Sequence, residues 1–121
     1  MEPATFLPAF LDTLDHRPDE VLAMLAPDFR FSILWANDEG AHEFAGGLNE
    51  YRGYLEQREA EGQLHHFRVT ARDGRSEVAL GFTTRHGEEL GNFTMFADVD
   101  EQERATRFFA ARTLAFRGHA P

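Results

Sequence analysis

The hydrophobic period of this chain changes at Gly62, and that change limits the possible folds more than any other feature. Before Gly62, apolar residues recur mainly at helical spacing; after it, they alternate with a period of two. In residues 5–16, TFLPAFLDTLDH, one stripe holds Phe6, Leu7, Phe10, Leu11 and Leu14, with Thr5 placed as the N-cap and Pro8 in the first turn. In residues 17–27, Pro18 suits the first helical position, and Asp19 and Glu20 suit the positive end of the dipole. Val21, Leu22, Met24 and Leu25 form the buried side there, and Pro27 ends the segment. The third helix is expected over residues 47–62, with Leu48, Tyr51 and Leu55 on its apolar stripe and Gly62 as its C-terminal cap.

Strands account for the rest. FRFSILWA, residues 29–36, is short and rich in aromatic and branched side chains, and lies between the second and third helices. Residues 37–47 then read as the polar loop at its end. Downstream, Asp73-Gly74 marks a hairpin, and an acidic turn at residues 100–103 joins the last two strands of a four-strand meander. The order is helix, helix, strand, helix and then hairpins. It predicts a single α+β domain over residues 1–121, with a core from 5 to 116 and helices on one face of a curved antiparallel sheet.

Both faces of the last strand carry apolar residues. Phe108, Leu114 and Phe116 point one way, and Phe109, Ala111 and Ala115 point the other. Helices cover one face only, so the second is either more core or the interface of a homodimer.

Charge and composition exclude several partners. The chain has 21 acidic residues against 12 basic ones, no lysine and no basic cluster, so neither nucleic acid nor an anionic membrane is expected as a partner. It has no cysteine, hence no disulfide, thiolate nucleophile or Cys-bound zinc. The N-terminus lacks the features of a signal peptide, and no apolar run is long enough to span a bilayer; a cytoplasmic protein is expected. The histidines do not fall at metal-ligand spacing, no phosphate loop is present, and Ser32 and Ser76 do not sit at a nucleophile elbow. No metal and no cofactor are expected.

The element order from residue 5 to 116, EFAGGLNEYRGYLEQ at 43–57 and MFADVDEQERATRFFAAR at 95–112 together resemble the nuclear transport factor 2-like superfamily, and within it the SnoaL-like proteins. The resemblance implies a cone of three helices over a curved sheet, enclosing an apolar cavity, commonly in a dimer. Its members include ketosteroid isomerases, polyketide cyclases, epoxide hydrolases, dehydratases and binding modules without chemistry, so fold does not settle function.

The functional residues of these relatives carry over poorly. The isomerase base falls near Ile33 counted from one side, and on Asn37 or Asp38 counted from the other; Asp38 is the carboxylate available. The oxyanion Tyr lands near Ala9 and the oxyanion acid near Met95, where neither is present. The acid that hydrolases and cyclases use in the last strand would fall near Ala110.

The candidate catalytic residues are accordingly Asp38, whose pKa an apolar neighbour such as Trp35 would raise, and His42, four residues on; the alternative is that both sit on a wet loop. The candidate ligand-binding residues are Trp35, Tyr51, Asn92, Thr94, Phe108 and Arg112. Asn92 and Thr94 either bond a ligand carbonyl or face solvent. Arg112 either clamps an anionic or carbonyl ligand or pairs across the sheet with Glu77 or Asp98. Two functions stay open: a cone that binds a small apolar or aromatic molecule, with or without proton transfer, and a non-catalytic binding or dimerisation module whose cavity its own Phe side chains fill.

Overall fold

Helix α1, Phe6–His16, lies where its apolar stripe predicts, with Phe6, Leu7, Phe10, Leu11 and Leu14 buried. The computed structural model describes residues 1–37, 39–58 and 60–113. The expectations for Asp38, Leu114, Ala115 and Phe116 lie outside the described residues. Thr5 takes the N-cap position but makes no side-chain cap bond to the helix. The cap comes instead from a distant strand: Glu77 accepts the backbone N–H groups of Thr5, Phe6 and Leu7 at 2.9, 2.9 and 2.8 Å. These are the donors that a helix start leaves without intrahelical partners.

The second helical segment is a 3-10 helix, Pro18–Met24, with Val21 buried. Strand β1 then runs Leu25–Asn37, taking in Leu25 and passing Pro27, where a ladder hydrogen bond is impossible. Its pairing is irregular between Leu25 and Arg30, which accommodates the proline.

Residues 40–47 depart from expectation. They form strand β2, Gly40–Gly47, which pairs back onto β1 from Asn37↔Gly40 to Arg30↔Gly47. Residues 40–47 of the cluster read as a loop are therefore the returning strand of a hairpin. Its inward positions, His42, Phe44 and Gly46, do alternate, but only Phe44 is apolar and bulky, so the period-two signal is weak. Gly46 is required by close approach, because a Cβ there would collide with the Glu50 side chain. Helix α2, Leu48–Gln57, follows, with the Glu50 carboxylate accepting the Gly47 N–H at 2.6 Å. It stops five residues short of Gly62, since residues 58–62 offer only Ala60 as an apolar side chain to pack.

The meander matches its period-two reading: β3 Gln63–Asp73, β4 Ser76–Arg85, β5 Glu88–Val99 and β6 Ala105–Arg112. The Asp73-Gly74 hairpin closes on the pair Asp73↔Ser76. The six strands lie in the order β2-β1-β6-β5-β4-β3, and every pair is antiparallel except β1 with β6.

Register fixes which residues share a face. One concave row runs Phe31, Phe108, Ala97, Glu77 and Arg72; the next runs Ile33, Ala110, Met95 and Ala79. These rows meet α1, the 3-10 helix and α2 in a single core. The opposite, convex face carries Phe109, Phe96 and Val78 in one row and Leu34, Ala111, Thr94 and Leu80 in another. Val78 and Leu80 are 45% and 46% exposed there. This is the second apolar face that the last strand predicts.

Candidate functional site

The cone interior is mostly filled by the chain itself. Phe10 packs against Phe6, Phe108 and Tyr51, and Tyr51 packs against Phe29 and Phe31, with ring centroids 5.0–6.4 Å apart. About 20 Å³ of space remains, bounded by Leu11, Leu14, Ile33, Met95, Phe108 and Ala110 on its apolar side. Its polar side is Tyr51, Tyr54, Arg58, His65 and Arg112. Roughly 10–15 Å³ already admits a water, so the space suits a small polar group and not a ring.

One of these polar groups, His65, belongs to a buried pair whose other member lies behind it. Asp15, in the last turn of α1, meets His65 of β3 with Oδ1 2.7 Å from Nδ1, and its Oδ2 accepts the His65 backbone N–H, also at 2.7 Å. The side chains are 5% and 3% exposed. Burial pushes the His65 pKa down and outweighs the Asp15 hydrogen bond and charge, which pull it up. The ring is therefore neutral at pH 7: Nδ1–H donates to Asp15, and Nε2 is the nitrogen left to accept a proton. Phe93 supports the ring edge-on, with centroids 5.5 Å apart.

Arg112 ends β6 on the same face, between Trp35 of β1 and Phe93 of β5 in register. Burial lowers its pKa; Tyr54 opposes that, while Arg58 and Arg85 add to it. Arg58 caps the C-terminal end of α2, and with Arg85, His86, Ala60 and Glu61 it lines a surface depression of about 450 Å³ next to the pocket. Burial, with the neighbouring Tyr54, pushes the Tyr51 hydroxyl well above the ordinary phenol range, so it is a neutral donor.

The structure thus gathers Tyr51, Phe108 and Arg112 around one pocket. Trp35 and His42 are cross-strand partners further along the same face, stacked at 5.3 Å, with Trp35 38% exposed. Strand alternation puts Asn92 and Thr94 on the convex face with Phe96 and Asp98, the second of the two placements the sequence left open for them. Arg112 does not pair with Glu77, which is taken by Arg72 at 2.9 Å, and Asp98 instead accepts a hydrogen bond from Ser76.

Asp15, His65 and Arg58 were not anticipated as site residues. His65 has inward strand parity, as alternation with His66 requires, but nothing in sequence spacing ties it to Asp15 fifty residues away. Among the described residues, no group of three His, Asp or Glu side chains is gathered as a metal site would need, and no helix is long and apolar enough to cross a membrane.

No family model matches the chain, and no curated protein does. Solved structures do. A Kribbella flavida protein named as a proposed ketosteroid isomerase is 20% identical, with a TM-score of 0.67 over 96% of this chain and 84% of that one. A SnoaL-like protein of unknown function from Burkholderia thailandensis is 14% identical, with a TM-score of 0.64 over 88% of this chain and 91% of that one. The yeast UBP3-associated protein BRE5 is 10% identical, with a TM-score of 0.67 over 92% of both chains. At such identities the likeness concerns fold. Together with three helices laid over a curved six-stranded sheet, it shows that this chain has the SnoaL-like cone fold of the nuclear transport factor 2-like superfamily.

Proposed function

We propose that the chain binds a small molecule at the inner end of its cone and moves a proton there, with His65 as the base and Asp15 holding its tautomer. The observation that carries this reading is that His65, buried against Asp15, lines the same small pocket as Arg112. A base oriented by a carboxylate, facing a fixed cation, is an arrangement suited to stabilising charge on a substrate oxygen as a C–H proton leaves. Tyr51 supplies from α2 the phenol that α1 lacks. Trp35 and His42 belong to the rim of the same site in this reading.

Proton transfer is tested by deuterium incorporation, in D2O, into small carbonyl compounds followed by NMR. His65→Gln is expected to slow exchange about a hundredfold with the fold retained. Exchange should also fall as pH drops below the ordinary histidine value of 6.5, through the lowered His65 pKa. An unchanged rate in His65→Gln removes His65 as the base.

A second reading, a module without chemistry, is favoured by the small interior volume and the aromatic side chains that fill the cone. Absence of exchange with every carbonyl compound, in a chain that still forms a dimer, selects it. Under either reading the convex face is the proposed homodimer contact, since Val78, Leu80 and Val69 are 45%, 46% and 56% exposed on it. Light scattering is expected to give a dimer mass for the wild type and a monomer mass for Leu80→Arg; a monomeric wild type removes this contact.

A further inference from the structure

The pocket has a charge imbalance that the fold itself does not need. The chain carries a formal net charge of −9, yet the polar wall of its interior is cationic. Arg112 lies between two aromatic side chains, with Arg58 and Arg85 as the nearby cations and Tyr54 as the neighbour that favours its charge. Among the described residues, Arg112 and Arg58 make no ion pair and donate no side-chain hydrogen bond. Among the described residues no carboxylate lines the pocket; Asp15, behind His65, already spends both oxygens on that residue. Glu61 faces the outer depression with Arg58 and Arg85.

An arginine keeps its proton at any working pH, so it cannot escape burial by neutralising as lysine does. A partly buried guanidinium without an anion costs several kcal/mol unless a partner arrives. Elsewhere the chain meets this requirement: Arg72, equally inward, is bound by Glu77 and Glu103 at 2.7–2.9 Å. The exception is at the pocket.

We infer that the ligand of this pocket is a small organic carboxylate, its head group held by Arg112 and its tail directed past Arg58 toward the surface depression. This rests on the reading of the pocket as a ligand site, and narrows it to one class. The remaining space favours that class: a carboxylate is planar and compact and matches the two-pronged donor edge of a guanidinium. A tetrahedral phosphate can also pair with a guanidinium, but it is bulkier than the roughly 20 Å³ left here suits.

The test compares propionate with its neutral isostere propionamide and with inorganic phosphate, at matched ionic strength, by thermal shift and by NMR of the arginine Nε–H signals. Propionate is expected to raise the Tm and shift the Arg112 signal, whereas propionamide and phosphate leave both near their starting values. Arg112→Met is expected to weaken propionate at least tenfold, with Arg112→Lys recovering part of the loss. The lysine variant also covers the case in which the methionine variant fails to fold.

Equal binding of propionate and propionamide, tighter binding of phosphate, or undiminished propionate binding in Arg112→Met each overturns the inference. The two readings fail separately. Propionate binding with no proton exchange removes the base and keeps the carboxylate, whereas His65-dependent exchange on neutral carbonyl compounds without propionate binding does the reverse.

Discussion

Glu77→Ala is expected to lower the free energy of unfolding by about 3–5 kcal/mol, the cost of breaking a buried ion pair by removing one partner. That is a large share of the roughly 5–15 kcal/mol that holds a domain together. Glu77 is fully buried, and its carboxylate caps α1 through three backbone N–H groups while accepting Arg72 at 2.9 Å. The substitution strands the three backbone donors, removes the partner of the Thr5 hydroxyl and leaves Arg72 with Glu103 as its remaining carboxylate. It also frees the end of α1, the helix that carries Asp15. Chemical denaturation checks the magnitude: the midpoint should fall with little change in slope.

The pH dependence gives a second, independent check. Burial alone would push the Glu77 carboxyl up, but the N–H groups of Leu7, Phe6 and Thr5, with Arg72, outweigh it and hold the carboxyl below the usual value of 4.5. A carboxyl with a lowered folded pKa binds fewer protons folded than unfolded, so its contribution is complete above pH 4.5 and is lost as pH falls through the folded value. Glu77→Gln should therefore flatten the acid side of the stability curve relative to wild type. Parallel curves for the two proteins would mean that Glu77 does not carry that stability.

The second large effect is expected from Phe10→Ala. Phe10 has no exposed surface and sits among Phe6, Phe108 and Tyr51 where α1 meets the sheet. Truncating a fully buried ring costs about 3–5 kcal/mol, from lost transfer energy and from the cavity left behind. That cavity would adjoin the existing pocket, through the Tyr51 and Phe108 side chains that touch both. An apolar cavity of this kind stays dry and takes up small aromatic molecules. Benzene is therefore expected to restore part of the lost stability in Phe10→Ala and to leave the wild type unaffected. A loss below about 1 kcal/mol would show that the cone is not tightly filled at this point.

Much of the fold is legible in the sequence because period and turn chemistry are local. The stripe from Phe6 to Leu14 forms α1, and the Asp73-Gly74 hairpin lies where its turn residues put it. Strands β4 and β5 alternate as written, while β3 shifts register between Phe67 and Val69. Strand β2 escapes because a hairpin edge with a single bulky apolar residue, Phe44, gives almost no alternation to detect. Helix α2 ends early because helical propensity without a buried face does not hold a helix together.

The site is legible only in part. Parity along β6 puts Phe108 and Arg112 on one face, and the stripe of α2 turns Tyr51 inward. Which face of the sheet meets the helices is not a local property, and that choice takes Asn92 and Thr94 out of the cone while bringing Arg112 into it. The Asp15–His65 pair spans 50 residues and the Glu77 cap spans about 70. No spacing rule links residues so far apart. The sequence by itself determined α1, β1 and the four C-terminal strands, with their order and alternation, because these follow from the backbone periods of 3.6 and 2. Only the tertiary structure decided which buried polar groups meet, because those contacts depend on how α1 lies across the sheet and on a sheet register closed by strands at opposite ends of the chain.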